Sequence, residues 1–295
     1  MRWKTNPKVL TAQCLAEFMG TMIYVYVNVM SVGTGATGVA VASGLLYTLM
    51  ILGPGQLSGG IFNPAIGLGF FIASAGQIKI ITFLAFLLSE LLGGLAGAAL
   101  VRICLTSADY SNATMTEGVL SLNLATAGIG GGFMIESILT FCLAMAVYVT
   151  LANGDWKQHA GWGPVAVGAA VCICTLCGYD ATGACMNPAR ALGPAVIASF
   201  YADVNIAWAY HYIYWIGPGV GAVTAAIIYR VLHFLSDQEK QEEDSYQKYE
   251  ELQDVLKTSE SYSSGDEGSE INQNNQDSKR QSYNSIHNSK KTEND

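Results

Sequence analysis

The tripeptide Asn-Pro-Ala occurs twice, at Asn63-Pro64-Ala65 and Asn187-Pro188-Ala189, each time where an apolar stretch is interrupted by glycines and small polar residues. Proline suits the first turn of a helix because the N–H it lacks would find no partner there. An asparagine directly before it is a favoured N-cap. Each copy therefore predicts a helix start. Short apolar runs follow, Ile66 to Ala73 and Ala191 to Phe200, too short for a bilayer crossing of roughly 20 apolar residues. The pattern predicts two half-helices.

The surroundings are membrane-like. From Val9 to Tyr229 only 12 of 221 positions are charged, where an ordinary soluble domain carries about a quarter. Apolar runs of spanning length cover about 10–32, 36–53, 78–102, 130–152, 162–179 and 207–234. The fold class is thus an all-α membrane protein with six transmembrane helices and two re-entrant half-helices. The first apolar run is itself long enough to span, which argues against a cleavable signal peptide. Arg2, Lys4, Lys8, Lys79, Lys157 and Arg230 fall on one side and only Arg102 and Arg190 towards the other, so both termini are expected to be cytoplasmic. That orientation puts the weak glycosylation signal Asn112-Ala113-Thr114 outside.

The two halves repeat. Ser58 to Ala65 aligns with Thr182 to Ala189, Ala16-Glu17-Phe18 with Ile135-Glu136-Ser137, and the pair Gly93/Gly97 with Gly217/Gly221. Repeats of about 9–105 and 128–234 make up a domain over 1–235. Three spans per repeat turn the second upside down relative to the first. The half-helices then enter from opposite faces and meet near the midplane. Their starts carry unpaired N–H groups and roughly half a positive charge each. Such a field opposes cations and protons, and costs a neutral molecule little. The amides of Asn63 and Asn187 can donate to the oxygen of a passing molecule. A single Asn-Pro pair would read as an ordinary helix start; two in matched repeats define a pore.

Arg190, a permanent charge within a membrane segment, marks function by default. It is expected to donate to the permeant near the outer mouth and repel cations, a structural salt bridge to Asp180 being the alternative. Glu17 and Glu136, symmetric in the repeats, are expected to accept from the re-entrant backbone, with a proton relay as the alternative. Glu90 reads as a packing residue, a subunit contact or a pH sensor, of which packing is favoured. Cys172, Cys174 and Cys177 are spaced like metal ligands but lie in a spanning helix with no nearby histidine or carboxylate. They read as packing residues. No metal and no cofactor is expected.

From about Thr11 to Arg230 the chain resembles the aquaporin, or major intrinsic protein, family. The resemblance is carried by Ala16-Glu17-Phe18, Ser58-Gly59-Gly60, both Asn-Pro-Ala motifs, Asn187 to Arg190, Leu192-Gly193-Pro194 and Trp215-Ile216-Gly217-Pro218. It implies a right-handed bundle, a homotetramer with one pore per subunit, and passive conduction of water or small neutral solutes across, most simply, the plasma membrane. Members of the family build an outer constriction from four positions, usually an aromatic, a histidine, a small residue and the arginine. Here these fall on Ser43, Thr175, Ala184 and Arg190. Without the two large side chains the opening is wider, and Ser43 and Thr175 add hydroxyls suited to glycerol or urea. Ala191 replaces the aspartate usual in the glycerol branch. The chain is therefore similar to a water-channel lineage with an opened filter, like the glycerol-conducting aquaporins of insects. The mercury-reactive cysteine of many relatives falls on Ala184, one residue before Cys185.

Residues 236–295 are rich in Ser, Asn, Gln, Glu, Asp and Lys and are expected to form a disordered cytoplasmic tail. Most of the net charge of -8 lies there. Ser236, Ser245, and Ser282 behind Lys279-Arg280 are candidate phosphorylation sites. Besides a channel for water and small uncharged solutes, the sequence permits a strictly water-selective channel or a poorly conducting junctional protein. A secondary transporter would need a coupling-ion site, for which only the symmetric glutamates offer themselves. An enzyme is disfavoured, since no nucleophile, base and orienting residue come together at useful spacing. The lipid bilayer is the surrounding partner, and nothing points to nucleic acid.

Overall fold

The structure, a computed structural model, describes residues 6–74, 78–113, 118–151, 162–201 and 208–263. Arg2, Lys4, Thr114, Lys157, Lys279-Arg280 and Ser282 lie outside the described residues. The helices are α1 (Pro7–Met30), α2 (Gly35–Leu52), the single turn α3 (Gly55–Ser58), α4 (Pro64–Ala73), α5 (Ile80–Cys104), the short α6 (Ser107–Ala113), α7 (Ile129–Leu151), α8 (Gly163–Thr182), α9 (Pro188–Ala198) and α10 (Ile213–Ser263). Six of them, α1, α2, α5, α7, α8 and α10, contain stretches long and apolar enough to cross a membrane. The half-helices are α4 and α9, of 10 and 11 residues.

Two packed units divide the chain, Met1–His233 and Phe234–Asp295. Within the first, α1 packs on α5, α2 on α8 and α7 on α8, while both half-helices pack on α5. The matched glycine pairs explain two of the closest crossings. A Cβ on Gly93 would sit 2.5 Å from the carbonyl oxygen of Phe18 in α1, and one on Gly221 of α10 would collide with the carbonyl of Ser137 in α7. Only glycine lets these backbones approach so closely, which is how helices associate where lipid gives no hydrophobic drive. Gly219, two residues away, has nothing within 4 Å of a Cβ. Gly221→Val is therefore expected to destabilise the bundle by about 1–3 kcal/mol or more through overpacking, and Gly219→Ala to leave it unchanged. Thermal unfolding of the two purified variants in detergent checks this.

In the second unit the described residues, Phe234–Ser263, are helical, and those up to Ser259 are almost wholly exposed. Composition alone placed the loss of order at residue 236, so the helix runs past that boundary. The stretch is rich in good helix formers such as Glu, Lys, Gln and Leu. Lys240, Asp244 and Lys248 also alternate in charge at the four-residue spacing that supports a solvated helix.

Candidate functional site

The site is built where the two half-helices begin. Asn63 and Asn187 are extended in backbone and cap α4 and α9. The Oδ1 of Asn63 accepts from the N–H of Ala65 at 3.0 Å and of Ile66 at 3.4 Å. Asn187 does the same for Ala189 at 2.9 Å and Arg190 at 3.3 Å. Their amide nitrogens turn the other way. Nδ2 of Asn63 donates to the Met186 carbonyl at 2.7 Å, and Nδ2 of Asn187 to the Phe62 carbonyl at 2.9 Å. The two helix starts are thus stapled directly to each other.

This reciprocal staple depends on unusual backbone. Phe62 and Met186 have φ of 51° and 53°, and Ala184 has 48°, a left-handed conformation that side-chain-bearing residues seldom adopt. It turns the carbonyls just before each asparagine towards the opposite motif. The surroundings hold the strain in place. Glu17 of α1 accepts from the N–H of Ile61 at 3.1 Å and of Phe62 at 2.6 Å. Glu136 of α7 accepts from Cys185 at 2.9 Å, from Met186 at 2.7 Å and from the Thr182 hydroxyl at 2.6 Å. Three tyrosines serve the carbonyls: the Tyr47 hydroxyl donates to Ile61, Tyr148 to Ile66 at 3.2 Å and Tyr214 to Thr182 at 2.9 Å. Irregular backbone at membrane depth survives only when protein satisfies it in this way.

Glu90 takes part as well. Its Oε1 accepts from the N–H of Asn63 at 3.1 Å. It holds the first cap residue, a use that the favoured packing reading of the sequence did not contain. Cys185 is buried with its thiol donating to the Asn187 carbonyl at 3.0 Å.

Ser43, Thr175, Ala184 and Arg190 are all buried in the first unit. Arg190 donates from Nε to Oδ1 of Asn28 in α1 and from Nη1 to the carbonyl of Gly118 at 3.0 Å. Nδ2 of Asn28 in turn donates to Oγ of Ser43 at 2.8 Å. One asparagine therefore bridges two of the four positions. Thr175 makes no side-chain hydrogen bond among the described residues, yet its hydroxyl is not a sealed, unpaired atom. Beside Gly183 a cavity of about 630 Å³ opens, lined by residues 120–124, Tyr179, Asp180 and Tyr210. Sequence reasoning missed Asn28 and the three tyrosines. A polar side chain within an apolar helix is the signal that could have singled out Asn28.

Two capped half-helices, inserted between six spanning helices and joined tip to tip, define a membrane channel protein. The Major intrinsic protein family profile matches residues 4–229. Aquaporin-8 of Mus musculus is 33% identical over 224 residues, covering 74% of this chain and 81% of the mouse protein. A probable aquaporin, TIP2-2 of Oryza sativa subsp. japonica, is 33% identical over 237 residues, covering 76% of this chain and 88% of its own. Among solved structures, the aquaglyceroporin of Plasmodium falciparum superposes with a TM-score of 0.63 at 20% identity, covering 78% of this chain and 99% of that one. That likeness shows the fold. The chain belongs to the major intrinsic protein family, and it is a multi-pass membrane channel of the aquaporin kind.

Proposed function

We propose that the channel passes water together with small uncharged solutes, glycerol and urea among them, and excludes protons and ions. The observation that carries this reading is the chemistry of the constriction. At Ser43, Thr175 and Ala184 there is neither an aromatic ring nor an imidazole, and the side chains that remain are short. A polyol gives up several hydrogen bonds to water on entering, and each one left unmade costs roughly 1–3 kcal/mol. Hydroxyls at Ser43 and Thr175, with the guanidinium of Arg190, can replace them. Exclusion of cations rests on the two half-helix starts and on Arg190, whose positive potentials add. Glu17, Glu90 and Glu136 hold the irregular backbone and take no part in proton transfer. The active form is a homotetramer in the plasma membrane with both termini cytoplasmic.

The test is expression in oocytes, comparing osmotic swelling with uptake of labelled glycerol and urea. Swelling without solute uptake would make the chain strictly water-selective. Neither would leave a junctional role. The filter assignment has its own check in Ser43→Phe combined with Thr175→His. One polyol hydrogen bond blocked by the new rings, about 1.4 kcal/mol, lowers glycerol flux roughly tenfold, while water flux falls far less. An unchanged ratio of the two fluxes shows that these residues do not form the constriction.

A further inference from the structure

We propose that Asn28 is a fifth determinant of solute selectivity, a positioning residue that fixes both Arg190 and Ser43. The inference rests on the reading that Ser43 and Arg190 belong to the constriction. It goes beyond that reading by giving a side chain of α1, outside the four positions, control over what those two present to the permeant.

The chemistry of the bridge admits one orientation. A guanidinium has only donors, so the end of Asn28 that faces Nε of Arg190 must be its carbonyl oxygen. The amide nitrogen is then left facing Ser43, whose oxygen accepts at 2.8 Å. No flip of the amide satisfies both neighbours. Two consequences follow. The Nε edge of the guanidinium is committed to protein, and Arg190 is held at a second point by the Gly118 carbonyl at 3.0 Å. Ser43, having accepted from Asn28, keeps its hydroxyl proton for donation. The bridge joins α2, α1 and α9. Asn28, Ser43 and Arg190 are all buried, so solvent does not compete freely for these bonds. The main-chain carbonyl of Asn28 is also occupied, accepting from the Ser31 hydroxyl at 2.8 Å, which fixes the backbone at the end of the helix.

Shortening Asn28 removes the anchor of Nε and enlarges the space beside Ser43. In Asn28→Ala the ratio of glycerol to water permeability, measured in oocytes at equal surface abundance, is expected to rise roughly fivefold, the effect of one hydrogen bond. Asn28→Ser, too short to bridge, carries the same expectation if the alanine variant fails to reach the surface. A residue that acts through Arg190 and Ser43 has nothing to position once the guanidinium and the hydroxyl are both gone. Adding Asn28→Ala to Arg190→Ala with Ser43→Ala should therefore leave the ratio where that pair alone puts it, whereas a purely structural residue would shift it in both backgrounds. A ratio that stays or falls in both single variants overturns the proposal, as does an equal rise in the background that lacks both side chains. If Ser43→Phe with Thr175→His alters the ratio while the Asn28 variants do not, the constriction stands and only the role of Asn28 fails.

Discussion

Glu136→Ala is expected to abolish the folded channel, with loss of surface protein and of any cooperative melt in detergent. The carboxylate takes three buried donors at once, the N–H groups of Cys185 and Met186 and the hydroxyl of Thr182, at 2.6 to 2.9 Å. Each buried donor left unpaired costs roughly 1–3 kcal/mol, against a total stability of about 5–15 kcal/mol for a folded domain. Two of the three donors are the N–H groups of the left-handed Met186 and of Cys185 directly before it, and the Met186 carbonyl anchors Asn63. Losing Glu136 thus releases the Met186 half of the staple, while Glu17 still holds Phe62. The first repeat divides the same task differently: Glu17 holds Ile61 and Phe62, and Glu90 holds Asn63. Glu90→Ala is accordingly expected to cost one bond and to leave a lowered but measurable melting temperature. Glu136→Gln, which keeps one acceptor oxygen, should fall between the two. A Glu136→Ala protein that melts with the native one would show that this backbone finds its partners elsewhere.

The doubled tripeptide made the architecture legible. Proline fixes where a helix starts, asparagine caps it, and apolar length sets whether the helix spans, so six spans and two half-helices follow from local rules. What the sequence could not carry is contact between segments far apart along the chain. The staple needs Phe62 and Met186 in a conformation that their own propensities disfavour, and it is imposed by partners more than 120 residues away. Asn28 is one polar residue in the 24-residue helix α1, and nothing local says that it faces an arginine 162 residues further on. Glu90 was visible as a buried charge but not as a cap for Asn63, because its row on α5 can be matched to a partner only once α4 is in place. Between residues 236 and 263 composition misleads in another way. Low hydrophobicity speaks against a packed core, but it does not speak against a solvated helix.

Replacing Asn187 by aspartate should convert a neutral-solute pore into one that leaks cations. Aspartate keeps an oxygen for the N–H groups of Ala189 and Arg190, so α9 still starts at Pro188. What changes is the other face of the side chain. Nδ2 donates to the Phe62 carbonyl at 2.9 Å, and a carboxylate oxygen there meets a carbonyl with no proton between them. The tips are pushed apart, and a full negative charge stands where two helix starts together supply about one positive charge. The barrier to cations at that point falls or changes sign. Voltage-clamped oocytes should therefore show currents carried by sodium, or by protons at acid pH, that the native channel lacks. The same change at Asn63 breaks the reciprocal bond to Met186 but lies in the motif that does not run into Arg190. With no adjacent guanidinium to offset it, Asn63→Asp is expected to leak more than Asn187→Asp. Equal currents from the two would mean that the neighbouring guanidinium offsets nothing, and none from either would mean that ion exclusion resides in Arg190 and the outer mouth, the half-helix field contributing little.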